Sequence, residues 1–160
     1  MIIRRARPDD YDSIWAILEP VLHAGDTYAL PSGWSRSEAL DYWLEPGHSV
    51  FVADEDGRVI GTYYLHANQR GGGDHIANCG YMVSAEASGR GVASAMAAHS
   101  LEAARAAGFA GMQFNFVVST NVRAVALWQR LGFVIVGTLP LAFRHPSLGA
   151  VDALVMFRAL

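Results

Sequence analysis

Seven consecutive residues, Ser88-Gly89-Arg90-Gly91-Val92-Ala93-Ser94, carry the clearest chemical signal in the chain. They follow Gly80 to Val83, which reads as a strand, and they open an alanine-rich segment that reads as a helix. Glycine lets a backbone approach a ligand closely, and the first turn of a helix presents unpaired N–H groups at its positive end. Such a junction is a seat for a pyrophosphate. Two asparagines give a second signal. Asn78 in Ile76-Ala77-Asn78-Cys79 and Asn115 in Met112-Gln113-Phe114-Asn115-Phe116 both sit mid-strand in apolar company. Asparagine is depleted from strands, and a buried carboxamide must find partners. The two amides are therefore candidates for orienting a polar substrate, against the plainer alternative of satisfied structural amides.

Three phosphate-binding schemes compete for the loop. A nucleotide P-loop needs a lysine after its glycines, and all 12 basic residues here are arginine. A dinucleotide site needs a third glycine and a ribose-binding carboxylate; Ser94 takes the glycine's place, and no Asp or Glu lies between Glu102 and Asp152. The third scheme fits: Ser88-x-x-Gly91-x-Ala93 resembles the Q/R-x-x-G-x-G/A loop of the GCN5-related N-acetyltransferases (GNAT superfamily). About thirty residues on, Asn121-x-x-Ala124-x-x-Leu127-Trp128-x-x-Leu131-Gly132-Phe133 is similar to that family's N-x-x-A-x-x-L-Y-x-x-x-G-F segment.

The resemblance implies transfer of acetyl from acetyl-CoA to an amine by direct attack on the thioester, with no metal. It implies a pyrophosphate held by backbone N–H groups from Gly89 to Ser94. The pantetheine arm would lie against Met82, Val83 and Ser84, Val83 being the expected oxyanion donor, with Asn121, Ala124 and Trp128 opposite. Two departures stand out. Ser88 replaces the usual Gln or Arg, and Trp128 replaces a tyrosine thought to protonate the departing thiolate; an indole is no acid at neutral pH. Asn78, with Gln113 to Val118, Thr120 and Asn121, is similar to microbial GNAT enzymes that acetylate proline analogues such as azetidine-2-carboxylate. There the matching asparagines hold the small amino acid. Tyr28, Trp34 and His145 are further candidates for the acceptor pocket. Glu86, His66 and His75 are weaker candidates for a base, and Cys79 reads as a buried apolar residue. The alternatives are a protein N-terminal amine as acceptor, or a non-catalytic acyl-CoA sensor.

These groups need elements to hold them. The expected order is β-α-α-β-β-β-α-β-α-β-β in one domain over residues 1–160. The opening strand is 2–6, a helix starts at Pro8, and a capping box at Ser35 to Glu38 starts a second. A hairpin turns at Asp54 to Gly57, and Gly71 to Gly73 lead into a strand over Ile76 to Val83. A helix after Gly91 stops at Gly108. The remaining strands are Met112 to Val118, Phe133 to Gly137 and Asp152 to Phe157, with a Pro-containing loop between the last two. The fold class is α/β (α+β): a mixed sheet with helices on both faces. The GNAT resemblance adds a mostly antiparallel sheet with a splay between two parallel strands.

Composition narrows the partners. Residues 1–102 carry 14 acids against 7 arginines, and residues 103–160 carry Asp152 against 5 arginines. The arginines are scattered, which disfavours nucleic acid. No apolar run has membrane-spanning length, Arg4-Arg5 interrupt the N-terminal apolar residues, and Cys79 is the only cysteine. A cytoplasmic protein is the default expectation. Family analogy suggests a homodimer, with Ala153 to Phe157 as an interface candidate.

Overall fold

The computed structural model describes residues 1–160. Its elements are β1 (Ile2–Arg5), α1 (Tyr11–Ala24), α2 (Arg36–Trp43), β2 (Ser49–Glu55), β3 (Arg58–Ala67), β4 (Ile76–Val83), α3 (Val92–Ala106), β5 (Gly111–Val118), α4 (Val122–Arg130), β6 (Val134–His145) and β7 (Gly149–Ala159). The order is the expected one. The boundaries shift most in two places: Pro8–Asp10 forms a 3-10 turn ahead of α1, and the loop expected around Pro140 is strand, with β7 lengthened to match. β6 accommodates that proline because it is an edge strand, and the ladder breaks between Leu139 and Phe143 where Leu141 adopts φ 54°.

The seven strands lie in the order β1-β2-β3-β4-β5-β7-β6, and only β4 and β5 run parallel. One apolar cluster, with Ile14, Leu18, Trp43 and Val52, packs α1 and α2 on one face; the other, with Met96, Leu101, Met112 and Met156, packs α3 on the opposite face. The Ser35–Glu38 capping box starts α2 as expected, Ser35 Oγ accepting the Glu38 N–H while the Glu38 carboxylate accepts Ser35 N–H. Arg4 bridges Asp10 and Asp54, tying β1 and β2 to the start of α1, and its guanidinium holds the Asp10 carboxyl below the usual range.

The β4–β5 contact shapes the site. Only Ile76↔Gly111 and Ala77↔Met112 pair, after which the strands diverge. In β5, two residues, Asn115 and Phe116, stand opposite one of β7 between the Phe114↔Met156 and Val117↔Leu154 pairs. That extra residue is a β-bulge, which bends its strand and twists it away from its neighbour. β5 stays with β7 and leaves β4, opening a fork.

Candidate active site

The fork holds a cleft of about 260 Å³, lined by β4, β5, the start of α4, and side chains from the α1–α2 segment. Asn78, Tyr28, Asn115, Asn121, Ala124 and Trp128, all singled out in the sequence, line it together.

Asn78 closes the narrow end. Its Nδ2 donates to the Gln113 carbonyl across the fork at 2.8 Å, so its Oδ1 faces His66 Nε2 at 3.2 Å and accepts from it. The amide thus keeps one N–H and one lone pair for a ligand. His66 is half-buried and its pKa lies below the ordinary value, first from burial and then from nearby His48. Asn115, exposed on the bulge, accepts from Gln113 Nε2 at 2.9 Å and donates to Asn68 Oδ1 at 2.6 Å. The bulge aims it at the cleft mouth.

The β4 edge alternates. Ser84 N–H bonds the Ile60 carbonyl of β3 at 3.0 Å, whereas Tyr81 N–H points the other way, to the Tyr28 hydroxyl at 2.7 Å. By the two-residue period of a strand, Val83 faces the gap with Tyr81, and Met82 and Ser84 face β3. Of the three residues expected against the pantetheine, Val83 turns its backbone to the gap, as Tyr81 does, while Met82 and Ser84 turn theirs to β3. Tyr81 reaches the α3 side through its ring, its hydroxyl 2.6 Å from Ser100 Oγ.

The loop after β4 holds two residues in the left-handed region, Gly89 at φ 76° and Gly91 at φ 82°, a conformation glycine enters freely. No atom lies within 4 Å of where a Cβ would stand at either glycine, so the approach to α3 is open. Gly91 caps α3, and the N–H groups of Val92, Ala93 and Ser94 form its unpaired first turn. Within the expected Gly89 to Ser94 donor set, Arg90 spends its N–H on the Ala87 carbonyl, as Ser88 ahead of it spends its own on Ala85. The Arg90 side chain pairs with Glu55 at 2.7 Å, and Glu86 pairs with Arg58. A paired, exposed Glu86 is a poor base.

Asn121 caps α4, its Oδ1 accepting Ala124 N–H at 3.3 Å. Trp128 is buried between Tyr81 (5.0 Å) and Phe114 (4.7 Å), forming an aromatic wall of the fork. Two candidates stand outside the cleft lining. Trp34 packs on Tyr42 at 5.4 Å outside the cleft, and His145 ends β6, where its Nδ1 accepts Ser147 and Leu148 N–H in the hairpin turn. Tyr42 and Tyr64 line the cleft instead and were not foreseen. Gly80 was the available sign of Tyr64: a Cβ there would meet its ring at 2.6 Å, and a glycine inside a strand marks such an approach. Cys79 is buried, its thiol pushed up to about 12 by burial, and is no nucleophile. No three His, Cys, Asp or Glu side chains gather where they could hold a metal ion, and no helix is long and apolar enough to cross a membrane.

The sheet splits between parallel β4 and β5, and a loop with two positive-φ glycines leads from β4 into the N-terminus of α3. The model of the acetyltransferase (GNAT) family matches residues 11–133, and the chain belongs to that family. It is an acetyl-CoA-dependent N-acetyltransferase. A GCN5-related N-acetyltransferase from Kribbella flavida is 39% identical and superposes with a TM-score of 0.95, over 99% of this chain and 97% of that one. The N-acetyltransferase aca1 of Schizosaccharomyces pombe is 28% identical over 151 residues, covering 84% of this chain and 72% of its relative. The phosphinothricin acetyltransferase of Sinorhizobium meliloti, in complex with acetyl-CoA, shares the fold with a TM-score of 0.87 at 24% identity, over 99% of this chain and 88% of that one.

Proposed function

We propose that the acceptor is the amine of a small molecule, and within that class a small amino or imino acid of the proline-analogue type. The observation that carries this is the cleft lining, which holds the carboxamides of Asn78 and Asn115 and no charged side chain. The whole cleft is about 260 Å³ and is shared with the donor's arm along Asn121, Ala124 and Trp128, which leaves room for a compact acceptor rather than a chain. Carboxamides can accept from an amine and donate to a carboxylate, which a zwitterion requires.

In this reading the first-turn N–H groups of α3 hold the pyrophosphate, the Val83 N–H lies on the thioester side of β4, and Asn121, Ala124 and Trp128 border the pantetheine. Transfer forms a C–N bond and breaks the C–S bond, so the acceptor must present a free lone pair. The titratable groups lining the cleft are Tyr28, Tyr42, Tyr64, Tyr81 and Cys79. Burial raises four of them, Tyr28, Tyr64, Tyr81 and Cys79, above their ordinary values. None of these four is a base near neutrality. The amine therefore sheds its proton to water, and the rate rises with pH as the acceptor's own free-base fraction. Trp128 leaves the thiolate to depart without a phenolic acid, which its modest basicity permits.

Thiol release from acetyl-CoA with a panel of small amino and imino acids tests this, with turnover on at least one expected. Binding of acetyl-CoA without turnover on any of them would turn the reading to a protein acceptor or to the sensor that Trp128 suggests.

A cytoplasmic homodimer completes the proposal, with one revision. Ala153 and Met156 are buried and β7 lies inside the sheet, so the expected Ala153–Phe157 interface gives way to edge strand β6. Val134, Val136 and Leu141 there are 58%, 57% and 68% exposed, an apolar edge that a second copy would cover.

A further inference from the structure

Tyr28 belongs to the segment between α1 and α2, yet its hydroxyl reaches the gap edge of β4. It accepts Tyr81 N–H and donates to Tyr81 C=O, both at 2.7 Å. A neighbouring strand would supply that pair of contacts. Here β5 has diverged, and a phenol 53 positions away in sequence supplies them. Val83 faces the same side two residues on, where no strand pairs with it.

We propose that Tyr28 is a plug displaced by the acyl donor: its hydroxyl oxygen holds the place that the thioester carbonyl oxygen takes on Tyr81 N–H, which replaces Val83 N–H as the oxyanion donor. The proposal rests on the reading that the gap edge of β4 seats the donor. An edge N–H aimed into a forming oxyanion works at about 2.7–3.1 Å, the separation at which the phenol oxygen now sits. Two oxygens cannot share that position. The exchange costs the protein little, since one partner of the N–H replaces another. Displacement also frees Tyr81 C=O to accept an N–H of the incoming amine, beside the carbon it attacks. Tyr28 lines the acceptor side together with Tyr42 and Tyr64. Donor binding therefore completes the acceptor pocket, and the order of addition is donor first.

Tyr28→Phe keeps the ring and removes the plug. In titration calorimetry the variant binds acetyl-CoA about fivefold more tightly than the parent, because one competing hydrogen-bonded state is lost. CoA, which has no acyl carbonyl, binds both proteins equally. Thermal unfolding supplies a second readout: the ligand-free variant melts below the parent, and saturating acetyl-CoA closes the difference. An unchanged or weaker acetyl-CoA affinity, or equal shifts for acetyl-CoA and CoA, would overturn the proposal. Failure of the parent to bind either ligand would instead remove the donor-site reading beneath it.

Discussion

At the end of β4 and the start of α3, outside the cleft lining, the chain offers backbone: the edge at Val83 and the unpaired N–H groups of Val92, Ala93 and Ser94. In the cleft it offers side chains, with Tyr28, Tyr42, Tyr64, Asn78 and Asn115 coming from five separate segments. The two sides answer to different constraints. A seat made of N–H groups depends on φ and on open approach, and not on the Ser88 side chain. A wall made of phenols and amides depends on residue identity and can be re-specified one substitution at a time.

The sharpest way to break the donor side is through its backbone. Gly91→Val forces a β-branched residue to φ 82°, a strain of about 1–3 kcal/mol that can be relieved only by moving the loop. CoA affinity is expected to fall about ten- to a hundredfold by calorimetry, while the fold is retained by circular dichroism. Unaltered affinity would mean that the loop is not the seat.

A smaller effect is expected at the hinge between the two sides. Asn78→Leu removes the amide that spans the fork and leaves the Gln113 carbonyl without its partner, a loss of about 1–3 kcal/mol in urea unfolding. Acceptor turnover should be lost with CoA affinity within about twofold. Loss of both would show that the fork's closed end, not the acceptor contact, is what Asn78 provides.

The smallest effect concerns His66 behind Asn78. Its pKa is lowered in the fold from 6.5, so the unfolded chain binds protons first as pH falls. Stability is full above that value and declines as pH drops through it. The melting temperature should fall between pH 7 and 5, and His66→Gln should flatten part of the slope; His99, also lowered by burial, keeps the remainder.

The contrast between the sides also explains what the sequence disclosed. Gly89, Gly91 and Asn121 were legible because a positive φ and a helix cap restrict residue type at fixed spacing. The β6–β7 hairpin was half read: Pro140 signals a loop locally, and only the edge position makes it tolerable in a strand. Tyr42 left no pattern and Tyr64 only the close approach at Gly80, since their shared cleft exists only after α2 folds onto β3. Trp34 and His145 are the converse, with suitable chemistry at tertiary positions outside the cleft lining that no spacing encodes. The bulge at Asn115–Phe116, which opens the fork, is invisible in a run of alternating apolar residues.

The most direct test of a backbone donor seat facing a side-chain acceptor wall is Asn115→Ala, at an exposed position where folding is not at stake. The measurement is acceptor kcat/KM together with the CoA dissociation constant. The account predicts a loss of about tenfold or more in kcat/KM with the dissociation constant unchanged. An unchanged kcat/KM, or a fall in CoA affinity of the same size, would contradict it.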